Sequence, residues 1–117
     1  MQQLSALELA DWLAATDPSQ DYPPDEARLR PTLLDVREPW EYELCRLAGS
    51  LLMPMHTVPA RVGELDPAAE IVVICHHGVR SQQVAMFLER HGFDAIYNLA
   101  GGVDAWADEV EPTMCKY

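Results

Sequence analysis

EIVVICHHGVRSQQVAMFLERH, residues 70–91, is the stretch whose reading decides the fold. Ile71, Val72, Val73 and Ile74 form an unbroken β-branched run, the pattern of a parallel strand covered on both faces. Such a strand belongs at the centre of a sheet. Cys75 stands where it ends, Gly78 marks a tight turn, and Ser81 precedes a helical repeat of Val84, Ala85 and Leu88 with Phe87 beside it. The cysteine is therefore expected to face a helix N-terminus. Backbone N–H groups there lack intrahelical partners and carry the positive end of the dipole, so a thiolate or a bound anion is favoured. A free thiol, with a pKa of about 8.5, is mostly protonated at neutral pH, and Arg80 is the cation expected to help form its thiolate. A depression of about two units corresponds to about 2.7 kcal/mol, within reach of several amides and one guanidinium. The bland alternative is a structural cysteine at a strand end, since free cysteines are commonly buried. Cys, Gly, Arg and Ser compressed between a buried strand and a helix match instead an anion-binding nest at the carboxyl edge of an open sheet, and the nucleophile reading is preferred.

Outward from this unit, the chain alternates buried strands with helical patterns. Ser5 and Glu8 have capping-box spacing, with Leu4 and Leu9 placed as a hydrophobic staple, so a helix is predicted from Ala6 to near Ala15 with Leu9, Trp12 and Leu13 inward. Residues 17–30, DPSQDYPPDEARLR, carry three prolines and no apolar period, and read as a solvated excursion. TLLDV, residues 32–36, is the next buried strand, and Pro39 opens a helix that carries Trp40 and Leu44 on one face. Leu51 to Met53 read as a short strand closed by Pro54, and residues 56–65 as a short helix with Val58, Val62 and Leu65 inward. Gly92 ends the long helix, residues 93–99 give the last strand, and paired Gly101 and Gly102 precede a helix anchored by Val103 and Trp106. Those two glycines allow a close approach to the Cys75 loop. Residues 111–117 read as a frayed tail. The pattern predicts an α/β domain with a central, mostly parallel sheet flanked by helices.

Composition narrows the function. A chain of 117 residues with 49% hydrophobic content suits one compact domain, residues 1–117. Eight basic against 19 acidic residues give a net charge of −11, which argues against nucleic acid and anionic membranes as partners. Three cysteines without paired spacing suggest a reducing compartment, and the first residues lack a basic, apolar leader, so a cytoplasmic location is expected. No CxxC or HExxH occurs, and consecutive Cys75, His76 and His77 are poorly placed to converge on one tetrahedral centre, so neither a metal nor another cofactor is expected. Cys45 and Cys115 have no role legible here.

CHHGVRS (75–81), with DVREPWEY (35–42) upstream and NLAGGVDAW (98–106) downstream, resembles the rhodanese family of sulfurtransferases, above all its small single-domain members. The resemblance covers nearly the whole chain and implies the rhodanese-like three-layer fold. It also implies that Cys75 takes a sulfane sulfur from a donor such as thiosulfate, holds it as a persulfide, and passes it to cyanide or a thiol. His76, His77, Gly78, Val79 and Arg80 would form the cradle. The partners implied are a small anionic donor, a cyanide or thiol acceptor, and a sulfur-relay protein. In the family the aspartate matched by Asp35 supports the site region; a structural ion pair with Arg37 is the competing reading. Where the family often has Gly-His-Ile-x-Gly-Ala, this chain has Cys45, Arg46, Leu47, Ala48, Gly49 and Ser50. Arg46 would attract an anion if turned toward the site and is otherwise a surface arginine. Two rivals remain. Cysteine-dependent phosphatases and arsenate reductases use a similar loop with cysteine and arginine one residue further apart, and the shorter span here suits a single sulfur better. A non-catalytic, protein-binding rhodanese-like module would be favoured by loss of the cysteine, which is present.

Overall fold

The computed structural model describes residues 1–17 and 29–117. In chain order the elements are β1 (Gln2–Leu4), α1 (Ala6–Ala15), β2 (Thr32–Asp35), α2 (Pro39–Leu44), β3 (Leu51–Leu52), α3 (Val58–Arg61), β4 (Ile71–Ile74), α4 (Val79–Arg90), β5 (Ile96–Leu99) and α5 (Gly102–Glu109). The strands form one sheet in the order β1-β5-β4-β2-β3, every pair parallel. As the unbroken β-branched run implied, β4 lies in the middle, with Ile71 to Ile74 all buried.

Alternation along β4 builds the three layers. Ile71, Val73 and Cys75 pack with Val58, Leu65, Val84, Ala85 and Leu88 on the α3–α4 side. Val72 and Ile74 pack with Leu9, Trp12, Val103 and Trp106 on the α1–α5 side. The Ser5–Glu8 capping box is formed, with Glu8 N–H donating to Ser5 Oγ at 3.1 Å and Ser5 N–H to Glu8 Oε1 at 2.9 Å.

The direction of the connections locates the site. From β2 the chain runs through α2 outward to β3, whereas from β4 it runs through α4 the opposite way to β5. Between the carboxyl ends of β2 and β4 the strand order reverses, and the departing loops leave the crevice in which open α/β sheets bind ligands.

Several local expectations are corrected. β1 was not foreseen, because three residues with only Leu4 buried carry too little alternation to register. α4 begins at Val79, so Ser81 lies inside its first turn. The predicted helix over residues 56–65 breaks into a 3-10 turn (Met55–Thr57), α3 and a second 3-10 turn (Val62–Glu64), with Pro59 near the start of α3. Trp40 and Leu44 are exposed, and Glu41 is the residue α2 buries. The tail is not frayed at its end: Tyr117 packs back onto the site and hydrogen-bonds Arg37 and Glu41. Residues 18–28 of the proposed excursion lie outside the described residues; beside them, Trp12 Nε1 donates to Leu29 O at 3.1 Å and Arg30 to Leu13 O at 3.0 Å.

α5 reaches the centre through its start. Gly101 offers no capping side chain, and the free N–H groups of Val103 and Asp104 donate instead to Cys75 O at 2.9 Å and His76 O at 3.1 Å. Gly102 has φ +61°, and a Cβ on it would stand 2.3 Å from both of those carbonyl oxygens. Gly102→Ala is therefore expected to cost at least about 2 kcal/mol in denaturant unfolding. Gly63→Ala, where a Cβ meets open space, should leave the midpoint within experimental error.

Candidate active site

Cys75 follows directly on β4, and its side chain turns into the protein; the residue is 1% exposed. Gly78 takes φ +102° as the residue before α4, which only glycine adopts without strain, and its N–H donates to Cys75 Sγ at 3.0 Å. Sγ thus sits at the positive end of a helix of 12 residues. Ser81 Oγ lies 3.3 Å away.

The polarity of that last contact follows from Asn98. Its Nδ2 donates to Gly78 O at 3.1 Å and to Gln3 Oε1 at 3.0 Å. A backbone carbonyl only accepts, so the orientation of the amide is fixed, and its Oδ1 must be what Ser81 meets. The Ser81 hydroxyl spends its one proton on Asn98. Toward Cys75 it presents a lone pair, and the thiol is the donor in that contact.

The other side of the crevice comes from β2 and α2. Asp35 and Arg37 are both fully buried, with Arg37 Nε 2.9 Å from Asp35 Oδ1 and Nη2 2.7 Å from Oδ2. Further guanidinium donors reach Glu41 O, Cys45 O and, at 2.9 Å, the Tyr117 hydroxyl. Burial disfavours the Arg37 charge, but the hydrogen bonds to Asp35 and Tyr117 outweigh it and raise its pKa. Asp35 and Arg37 thus form a buried ion pair, the arrangement set against a site role for Asp35 in the sequence reading. Arg46 lies with its guanidinium 4.7 Å over the Tyr42 ring.

Arg80 turns to α2. Its two terminal nitrogens grip the Glu41 carboxylate at 2.7 and 2.8 Å, a bidentate pair in which the Glu41 side chain is 4% exposed. The Arg80 hydrogen bonds hold the Glu41 carboxyl at about 2 against the opposing effect of burial, helped by Glu38 N–H and the Tyr117 hydroxyl. Burial pushes the Tyr117 hydroxyl up to about 12, so it stays protonated while it donates to Glu41 at 2.7 Å. Arg80 is consequently an ion-paired arginine at the rim, its charge shared with Glu41 and not presented to Cys75 alone.

His76 and His77 turn away from the thiol. The His76 ring is sandwiched between His77 and Tyr117, with centroids 3.9 Å from each. Burial and the neighbouring His77 lower its pKa, favouring the neutral ring. Val79 is exposed on the outer face of the loop. The structure thus brings Cys75, Gly78 and the start of α4 together, places Arg80 and His76 on the rim, and leaves His77 and Val79 facing outward.

Three residues of this cluster, Asn98, Glu41 and Tyr117, were not foreseen. Asn98 carried a signal, a polar residue inside the otherwise apolar β5. Glu41 carried one too, at capping-box distance from Glu38, and that box is formed. Ser81 was read as part of the nest and as a helix boundary, but not as a hydrogen-bond partner of the sulfur. Tyr117 has no local signal, because its role depends on the folded path of the tail.

Comparison with known proteins agrees with this geometry. Residues 10–109 match the family model described as "Rhodanese-like domain". The chain is 37% identical over 97 residues to a rhodanese-like/PpiC domain-containing protein of Arabidopsis thaliana, covering 80% of this chain and 31% of that protein. It is 37% identical over 79 residues to the putative sulfur carrier protein YrkF of Bacillus subtilis, covering 68% of this chain and 43% of that one. The chain therefore spans less than half the length of either. Over 88 residues it is 35% identical to the thiosulfate sulfurtransferase GlpE of Pseudomonas fluorescens, covering 72% of this chain and 81% of the relative. Among solved structures, a rhodanese-like domain protein from Staphylococcus aureus superposes with a TM-score of 0.75 at 28% identity, covering 94% of this chain and 95% of that one. With a matching family model over most of its length, a parallel three-layer sheet and a cysteine at the carboxyl end of β4, the chain belongs to the rhodanese-like domain family.

Proposed function

We propose that this chain is a thiosulfate sulfurtransferase-like enzyme that moves a sulfane sulfur through a persulfide on Cys75. The observation that carries the reading is the seat of Cys75 Sγ, with the Gly78 N–H on it at 3.0 Å at the head of α4. The names of relatives, sulfurtransferase and sulfur carrier, support the same chemistry. In the first half-reaction the Cys75 thiolate attacks the outer sulfur of thiosulfate; the sulfur–sulfur bond breaks and its electron pair leaves with sulfite. In the second, cyanide or a thiolate attacks the outer sulfur of the persulfide, and Cys75 departs as a thiolate toward the Gly78 amide. Because Cys75 is almost sealed, the donor approaches end-on, sulfur first, with its oxyanion left at the rim beside Arg80. The short span from Cys75 to Arg80 favours this single sulfur over a tetrahedral oxyanion, and retention of Cys75 favours catalysis over a purely protein-binding module.

Residues 1–117 act on this reading as one domain, in the cytoplasm, with the acceptor supplied as a small thiol or as a sulfur-relay protein. Among the described residues no helix is long and apolar enough to cross a membrane.

Mass spectrometry of protein treated with thiosulfate should show one added sulfur, mapped to Cys75 and removed by cyanide. Cys75→Ser should gain none, and a wild-type chain without mass gain overturns the proposal.

The Ser81 relay gives a second expectation. Asn98→Ala frees the Ser81 proton for the Cys75 sulfur, so the iodoacetamide pH profile of Cys75 should move to lower pH. In Ser81→Ala that gain is lost, and the double variant should follow Ser81→Ala. An additive double variant would exclude coupling through Ser81.

Glu41 supplies a pH dependence. Its folded pKa of about 2 lies below the ordinary value of about 4.3, so its stabilising effect is present above that ordinary value and fades as the pH falls toward 2. Glu41→Gln should lower stability at pH 7 by about 1–3 kcal/mol, allowing for the partial exposure of Arg80. In calorimetry the gap between variant and wild type should close between pH 5 and pH 2.

A further inference from the structure

The loop after β4 has two sides, and only the inner one is used by the thiol. Cys75 turns inward to Gly78 and Ser81, whereas His76 and His77 turn outward against the first turn of α5. There they meet Asp104: one nitrogen of each ring and one carboxylate oxygen all lie within 4.8 Å of one another. The expectation of no metal rested on the difficulty of bringing Cys75 and both histidines to one centre. Replacing the thiol by Asp104 removes that difficulty.

The backbone holds these three residues in place. Asp104 N–H donates to His76 O at 3.1 Å and Val103 N–H to Cys75 O at 2.9 Å, and the absence of a Cβ at Gly102 is what lets the two segments approach this closely. The Asp104 carboxylate is also oriented. Its Oδ1 is 3.4 Å from Lys116 Nζ, which bonds Asp108 more closely at 2.7 Å, and its Oδ2 faces His77 Nδ1 at 4.0 Å. His77 has its side chain 62% exposed, so the cluster is open to solvent on one side. The net charge of −11 concentrates cations around the protein.

We propose that His76, His77 and Asp104 form a binding site for a divalent transition-metal ion of the zinc class, on the outer side of the loop that carries Cys75. Two imidazoles and one carboxylate are a borderline donor set suited to zinc and its neighbours, with water filling the remaining position. Tetrahedral bonds of about 2.0–2.2 Å set ligand atoms about 3.4 Å apart, so the ion draws the cluster inward by a rotation of exposed His77. The parallel stack of His77 on His76 then opens, because stacked rings cannot both aim an in-plane lone pair at one ion. His76 keeps its contact with Tyr117 on the other face.

The test uses the full chain with Zn2+ in calorimetric titration and Co2+ as a spectroscopic probe. The site gives one ion per chain and visible bands of low-coordinate Co2+ without a sulfur-to-cobalt charge-transfer band. Cys75→Ser retains both, His77→Ala and Asp104→Asn weaken binding at least about tenfold, and Lys116→Gln tightens it by freeing Asp104. His77 is exposed, and circular dichroism of His77→Ala should match wild type. Absence of 1:1 binding overturns the proposal, as does binding that survives both ligand substitutions or disappears with Cys75.

Discussion

Two backbone groups that would otherwise be left unsatisfied fix the centre of this protein. The loop after β4 presents the carbonyls of Cys75 and His76, and α5 starts with N–H groups that no side chain caps. Each end satisfies the other. The cysteine loop is therefore positioned by the glycine pair of the β5–α5 turn as much as by its own strand. The NLAGGVDAW segment owes its glycines to this contact, since a side chain at Gly102 would separate carbonyl from amide. Asn98, on the same strand as that turn, ties Gly78 O from below and orients Ser81. One turn thus controls both the path of the loop and the proton arrangement around its sulfur.

Charge around the crevice is organised as compensated pairs. Asp35 with Arg37 and Glu41 with Arg80 bring buried or half-buried ions together, and the Tyr117 hydroxyl bridges the two pairs. Unpaired, each of these ions would carry a desolvation cost of several kcal/mol. Among the described residues, the two arginines of the crevice, Arg37 and Arg80, are each matched by a carboxylate, so they do little to offset a net charge of −11. The positive potential that the site directs at Cys75 Sγ is then chiefly dipolar, from the Gly78 amide and the aligned peptides of α4. Such groups act at contact distance and are little affected by the field of the distant acidic surface.

The sequence made legible what repeats locally. The run from Ile71 to Ile74 marked the central strand, Ser5 and Glu8 marked the start of α1, and the crowding of Cys75, Gly78 and Arg80 marked the loop. What stayed hidden depends on the third dimension. Arg80 was legible as a cation near a cysteine, but its partner Glu41 lies 39 residues earlier on another element. The side of α2 that turns inward was not legible: Trp40 and Leu44 share an apolar face that stays exposed, and the residue α2 buries is Glu41. Tyr117 returns from the end of the described chain to hydrogen-bond residues 76 and 80 positions away. β1 was too short to leave a pattern.

The sheet has a further property in its margins. Both of its outer strands are stubs, β1 of three residues and β3 of two. A parallel sheet whose long strands are all interior offers little free backbone for another chain to zip onto. The buried hydrophobics of its interior strands pack on both faces against helices, and its edge strands are only a turn's length each. The consequence is colloidal: with edge strands this short, edge-to-edge growth into fibrils is disfavoured by strand length itself, without a charged gatekeeper on the strands.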